Sequence, residues 1–458
     1  MSPRHRCLAL MLLSLVAACS SGSNAVCNNG TGLAPADGVW PQSRHDGYNT
    51  GRTDVQVTGT TPTLKWTQAN TAVSQRAFVS GAIISTDGAH LYIGSLDGLV
   101  YSLDTATGEH DDAFEANFLG AFPDPSGAPI LGGPALDSGG NVYVSTNATL
   151  LVLTPQGMLL RSAAIGGPGT APALATNVNG IIGLNGTAYV GAQTGASTGF
   201  FVAVCANSID RWSFISDPRT LAGDPVTSAA AVGTDGTVYF ASASSLRPFL
   251  RAIDPIFAIL KWTFGASAPI VASPVLDTDA KTIYVATISG GASSIAHVYS
   301  VDPATGSRKP FTFALPEPGF DISASPALGF PASDGTGVGT IYVAATDGRL
   351  YAVDINNPTQ PRVFETEGAA MSPPLGIQSS PLVAHDGDNA TIIFGSDDGH
   401  VYRVVDDGTT LTEAWQFEVP SEDGKPVSIG TASAAIGEDG TVYIGTGDGH
   451  VYAIAGTS

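Results

Sequence analysis

Gly81-Ala82-Ile83-Ile84 leads into Thr86-Asp87-Gly88, then Leu91-Tyr92-Ile93-Gly94, Asp97-Gly98 and Val100-Tyr101-Ser102-Leu103-Asp104. The same text returns at the C-terminus as Ser433-Ala434-Ala435-Ile436, Glu438-Asp439-Gly440, Val442-Tyr443-Ile444-Gly445, Asp448-Gly449 and Val451-Tyr452-Ala453-Ile454. Each copy spells strand, Asp-Gly turn, strand, Asp-Gly turn, strand. Asp-Gly between short apolar runs signals a hairpin, because both residues tolerate positive φ. The unit is therefore a small antiparallel meander, and its recurrence decides the fold.

The second-strand aromatic sets the period, at Tyr92, Tyr143, Tyr189, Tyr239, Tyr284, Tyr342, Phe394 and Tyr443. These eight marks, 45 to 58 residues apart, suit four-stranded blades rather than helical repeats. A second marker belongs to the outer strand: Trp212-Ser213-Phe214, Trp262-Thr263-Phe264, Phe311-Thr312-Phe313 and Trp415-Gln416-Phe417. Rings so spaced are expected to wedge between neighbouring blades. The last unit ends without such a strand, while Leu64-Lys65-Trp66-Thr67 repeats Leu260-Lys261-Trp262-Thr263 with no blade of its own. Residues 63–68 are thus expected to supply the outer strand of the final blade and cover its edge. The expected fold is all-β: an eight-bladed β-propeller of four-stranded antiparallel blades, closed by an N-terminal strand, with seven blades as the alternative count. Composition agrees, with Gly 55, Pro 30 and only 13% charged residues, too few for long solvated helices. A 43% hydrophobic content supports a sizeable core.

The N-terminus gives an address. Arg4 and Arg6 precede the apolar run Cys7 to Ala18, which is too short to span a bilayer. Val16-Ala17-Ala18-Cys19 resembles the lipobox of bacterial lipoproteins, which implies a signal peptide over 1–18 and lipidation of Cys19. An ordinary cleavage near Ala18 is the alternative. Ser20 after the cysteine implies sorting to the outer membrane. Residues 19–37, small and polar, read as a lipidated flexible tether, and 38–458 as the propeller. Loss of Arg4 and Arg6 leaves 17 basic residues against 40 acidic ones, a net charge of −23. That field excludes nucleic acid as a partner. Cys27 and Cys205 are the remaining cysteines, free or paired in an oxidising envelope.

The repeats, with Trp40-Pro41-Gln42-Ser43-Arg44-His45-Asp46 and Asn49-Thr50-Gly51-Arg52, resemble the pyrroloquinoline-quinone-like (quinoprotein alcohol dehydrogenase-like) propellers over about residues 38–458. Within that superfamily the chain looks like the propeller lipoprotein of the outer-membrane β-barrel assembly machinery, a partner-binding protein without a cofactor. The dehydrogenase branch has two adjacent cysteines over its quinone and a Glu/Asn/Asp calcium set. No two cysteines are adjacent here, and no such set can be matched. The resemblance thus implies a monomeric, non-catalytic protein-binding scaffold in the cell envelope, joined to the membrane by its lipid. A dehydrogenase using pyrroloquinoline quinone with calcium is the alternative, and an envelope glycan-binding surface protein the second.

No catalytic residue and no metal site is assigned. Asp277-Thr278-Asp279, Asp386-Gly387-Asp388-Asn389 and Asp406-Asp407-Gly408 lack calcium-loop spacing and read as turns. Gly195-Ala196-Ser197-Thr198-Gly199 fits a nucleophile elbow by letter, but sits between strands of an all-β repeat. His400 and His450 share a repeat position and could meet across a blade boundary. Ser273-Pro274, Ser325-Pro326 and Ser380-Pro381 lead into inner strands, where small residues suit converging backbones. Partner-binding candidates are Phe114, Phe118, Phe122 and Phe320, apolar residues in the long insertions 105–130 and 315–322.

Overall fold

Asp87, Asp235 and Asp439 each close their own turn: an Oδ1 accepts the backbone N–H two residues on, at 3.1, 2.9 and 3.0 Å. The next glycine takes positive φ in every case, 73° to 79°. These hairpins build the molecule, a computed structural model. It describes residues 34, 36, 38 and 40–457, apart from 71–76, 122–128, 147–148, 166–173, 176–180, 184–185, 195–197, 205–210, 216–224, 244–247, 256–258, 280, 332–337 and 422–423.

Eight antiparallel sheets follow, so the blade count is eight rather than seven. Blade 1 holds Ile83–Ile84, His90–Gly94 and Val100–Asp104; blade 2 holds Ala135–Leu136, Val142–Ser145, Thr149–Leu153 and Leu159–Ala164. Blade 3 runs from Leu174–Ala175 to Arg211–Ile215, blade 4 from Ala231–Val232 to Ile259–Gly265, and blade 5 from Val275–Asp277 to Arg308–Ala314. Blade 6 runs from Ala327–Leu328 to Arg362–Glu365, and blade 7 from Leu382–Asp386 to Leu411–Glu418. Every second-strand aromatic named above lies in the second strand of its blade.

Blade 8 closes the ring as expected. Thr61–Ala69 lies antiparallel on His450–Thr457, from Thr61 opposite Thr457 to Ala69 opposite His450. The repeated letters repeat their geometry as well. Lys65 Nζ donates to Asp439 at 2.8 Å and to Thr441 Oγ1 at 3.0 Å; Lys261 reaches Asp235 at 3.4 Å and Thr237 Oγ1 at 2.6 Å. Trp66 Nε1 donates to the Thr105 carbonyl of blade 1, and Trp262 Nε1 to the Pro303 carbonyl of blade 5. Each indole lies flat on a glycine of that neighbouring turn, Gly108 or Gly306, with no room for a Cβ. The outer-strand ring is a wedge because it fills this gap while its one donor is satisfied.

Blade 1 departs from four strands. Its outer position is taken by the helix Asp112–Ala121, N-capped by Asp111, whose Oδ1 accepts the Phe114 N–H at 3.0 Å. Phe114 and Phe118, one turn apart, fill the space between blades 1 and 2 beside Tyr92, Ile130 and Leu151. This corrects the reading of 105–130 as a polar recognition loop. Two rings spaced i, i+4 on a helix do here what Trp-x-Phe does on a strand. Blade 7 also departs, gaining a fifth strand, Arg52–Gln56, which runs parallel to Leu382–Asp386.

Candidate functional site

The inner strands converge on the axis, and their lead-in serines tie blade to blade. The Ala229 N–H donates to Ser273 Oγ (3.1 Å), the Ser273 N–H to Ser325 Oγ (2.9 Å) and the Ser325 N–H to Ser380 Oγ (3.0 Å). A larger side chain would hold the blades apart, and a side chain without an acceptor would orphan a buried amide. This accounts for the small residues at strand convergence.

One end of the axis is closed by the chain itself. The segment 40–51 crosses the centre and meets the blades in sequence order. Carbonyls of Trp40 and Pro41 accept the N–H groups of Ile84 (blade 1) and Leu136 (blade 2), each at 2.9 Å. Gln42 Oε1 accepts the Ile182 N–H of blade 3 at 3.3 Å. Carbonyls of Gly47, Tyr48, Thr50 and Gly51 then accept the N–H groups of Val232, Leu276, Leu328 and Val383, blades 4 to 7, at 2.7 to 2.9 Å. The donor in every case lies in the strand at the inner end of its sheet, so the plug satisfies edges that would otherwise be unpaired. Sequence reading found these residues only as a family marker; their use of Asn, Gly and backbone acceptors carried no periodic signal.

Two side chains rivet the plug. Asn49 is fully buried and its Nδ2 donates to the Ala230 carbonyl (2.8 Å) and the Pro274 carbonyl (3.0 Å), joining blades 4 and 5. The buried Arg44 guanidinium donates to the Pro381 carbonyl at 2.8 Å and to the Pro326 carbonyl, joining blades 6 and 7. Burial pulls its pKa down to about 10, partly offset by Asp46. Burial would raise Asp46, but His45 and the N–H and hydroxyl of Thr50 outweigh it and hold the carboxyl below its usual range. Arg44, His45 and Asn49 all have φ between 58° and 75°, a left-handed conformation unusual outside glycine. Such strain persists only where surrounding contacts over-determine it, as seven blades do here.

The residues singled out in the sequence fall as follows. Phe114 and Phe118 are fully buried and offer no surface to a partner. Phe320 is half-buried against the core between blades 5 and 6, and Phe122 lies outside the described residues. Cys19, Cys27 and Cys205 also lie outside them. Asp406 is held by a fork from Arg362 (3.0 and 2.6 Å), by the Tyr342 hydroxyl (2.8 Å) and by the Gly408 N–H (2.9 Å), so it serves the seam between blades 6 and 7. Asp277 accepts the N–H groups of Asp279 and Val338, and Asp386 pairs with the buried Arg403 at 3.0 Å. Ala188–Thr194 and Thr198–Val204 pair antiparallel, with Thr194 opposite Thr198, so a strand rather than a helix follows the motif, whose Gly195, Ala196 and Ser197 lie outside the described residues. His400 and His450 each turn to an aspartate of their own blade, Asp398 at 3.3 Å and Asp448 at 3.1 Å, rather than to each other.

No family model and no curated protein matches the chain. Among solved structures it is similar to the quinohemoprotein alcohol dehydrogenase from Comamonas testosteroni, at TM-score 0.64 and 15% identity over 92% of this chain and 81% of that one. It is also similar to the Dos1 propeller (TM-score 0.62, 13% identity, 87% and 96%) and to a europium-containing methanol dehydrogenase (TM-score 0.61, 12% identity, 94% and 99%). At such identities the likeness is one of fold. Dehydrogenases and a protein described only as a propeller share it equally, so architecture does not choose between catalysis and binding.

Proposed function

We propose that this chain is a lipid-anchored, non-catalytic propeller that serves as a protein-binding scaffold in the cell envelope, on the outer membrane and in the service of outer-membrane protein assembly. The observation that carries the reading is the axial plug. The chain spends its own segment 40–51 on closing the centre and fixes it to seven blades, which makes the ring a rigid platform. The Cys19 motif supplies the address, and the net negative charge suits basic or apolar protein partners.

Dehydrogenases among the similar structures favour one second reading, quinone-dependent oxidation. A carboxylate-bearing quinone held with calcium needs cations for the quinone and a carboxylate set for the metal. Among the described residues no group of three or more His, Cys, Asp or Glu is placed to hold a metal. The described lead-ins to the axis are Ser, Ala, Gly and Pro, and both terminal nitrogens of Arg44 are committed to backbone carbonyls. The described residues therefore do not fit that group, and no catalytic step is derived through it.

The test is cross-linked affinity capture of the full lipidated chain from native envelopes. Stoichiometric recovery of barrel-assembly subunits is expected. A tight quinone chromophore after incubation with pyrroloquinoline quinone and calcium, together with dye reduction by alcohols, would overturn the scaffold reading.

A further inference from the structure

We infer that the rim of blade 2 is a membrane seat, with Met158, Leu159 and Leu160 resting on the bilayer that receives the N-terminal lipid. The inference rests on the lipid-anchored reading of Cys19 and adds what the body does beside its anchor.

The outer strand of blade 2 differs from the others. It carries no aromatic wedge; its text is Leu159-Leu160-Arg161-Ser162-Ala163-Ala164. Met158, Leu159 and Leu160 are 53%, 41% and 54% exposed, the only run of consecutive exposed large apolar residues among the described residues. Elsewhere on the outer strands such residues stand singly, as Leu64, Ile259 and Val363. Among the described residues Leu159–Ala164 is the last strand of its sheet, paired to Thr149–Leu153. A run of exposed apolar residues is a surface that proteins ordinarily blunt with charge or cover.

The place where the tether joins the body identifies the cover. The Ser138 N–H donates to the Ala34 carbonyl at 2.8 Å, and the Ala36 N–H to the Leu136 carbonyl at 2.9 Å. The chain therefore enters the body at the first hairpin turn of blade 2. In a four-stranded meander the first and third turns lie at the same end. Here they touch, since a Cβ on Gly140 would stand 3.4 Å from Pro155 Cγ. The third turn is closed by the Thr154 N–H donating to the Met158 carbonyl at 2.8 Å, so the exposed run starts beside the tether's point of entrance.

Cys19 and Ala34 are fifteen residues apart. Such a stretch spans at most about 50 Å, and about 20 Å root-mean-square if it behaves as a small, polar linker. A lipid on Cys19 thus keeps the bilayer at high local concentration against the blade 2 end of the ring. A processed chain of 17 basic and 40 acidic residues, net charge −23, cannot use anionic headgroups as its seat. An apolar contact on zwitterionic lipid, with Arg161 next in sequence, is compatible with that charge.

The full-length chain carrying p-benzoylphenylalanine at Leu160, or separately at Ile259 on blade 4, is irradiated in intact envelopes with radiolabelled phospholipid. Acylation is followed in parallel by fatty-acid labelling of the wild type and of Cys19→Ala. The expected result is a phospholipid adduct at 160 several-fold stronger than at 259. Protein adducts at 160 without lipid would overturn the seat in favour of a protein partner. Equal lipid labelling at both sites, or none at either, would overturn it on an acylated chain. Absence of Cys19-dependent acylation would overturn the anchor reading itself, a distinguishable failure.

Discussion

Replacing Asn49 measures how much the plug holds the ring together. Asn49→Ala removes two hydrogen bonds and leaves the buried carbonyls of Ala230 and Pro274 without that donor. At roughly 1–2 kcal/mol per orphaned bond, the loss is about 2–4 kcal/mol. Alanine must also adopt φ near 58°, where asparagine is tolerated, which adds about 1 kcal/mol. Asn49→Gly makes the same hydrogen-bond loss but is free of the second cost, so it should be milder by about 1 kcal/mol. Over an ordered body of this length, 1 kcal/mol moves a cooperative melting midpoint by roughly 1 °C. Differential scanning fluorimetry should then place Asn49→Ala about 3–5 °C below wild type, with Asn49→Gly about 1 °C above Asn49→Ala. An alanine variant within 1 °C of wild type, or a glycine variant below the alanine one, would refute the reasoning that blades 4 and 5 are riveted through this side chain.

Other perturbations separate turn, seam and charge. Gly108→Ala forces both a left-handed alanine and a clash with the Trp66 indole, about 2–3 kcal/mol. Gly88→Ala, at similar φ but facing open space, should cost only about 1 kcal/mol, and paired denaturant midpoints check the difference. Asp406→Asn breaks the buried fork to Arg362 and should cost about 3 kcal/mol, whereas Asp407→Asn, at an exposed turn, should leave the melting midpoint unchanged. His110 bonds Glu115 at 2.7 Å and the Ala69 carbonyl at 3.1 Å, and the Glu115 hydrogen bond raises its pKa. A raised folded-state pKa contributes stability that is complete below the unfolded value near 6.5 and is lost as pH rises through the folded value. A melting series from pH 6 upward should show this decline in wild type and lose it in His110→Gln.

Much of the fold could be read from residues because each blade carries its own turn chemistry. Asp-Gly pairs, the second-strand tyrosine and the displaced Leu64-Lys65-Trp66-Thr67 copy are local signals, and each keeps its expected place. Three features escaped. The helix over Asp112–Ala121 was signalled by an Asp cap and phenylalanines four apart, but as an insertion between repeats the segment reads as a loop. The strand Arg52–Gln56 adds parallel to blade 7, where alternation alone names no partner. The plug draws on Asn49, Arg44 and a run of backbone carbonyls, whose partners lie up to 337 positions away and leave no periodicity to read. The candidate site was less legible than the fold for the same reason. Phe114 and Phe118 looked like anchors because a loop was assumed around them, and their burial follows from the helix.

The plug and closing strand also impose an order on folding. Segment 40–69 emerges first during synthesis, yet its partners run from Ile84 to Thr457. Pairing of Thr61 with Thr457 cannot occur until the final residues exist, and seven inner edges must stand in place before residues 40–51 can lie across them. Blades can form one by one as local meanders, whereas the step that makes them a ring is long-range and late. Until then the leading segment stays unpaired and the last blade keeps an open edge. On the proposed lipid-anchored reading this delay is useful, because the segment that follows the N-terminal signal would be the last to become fixed.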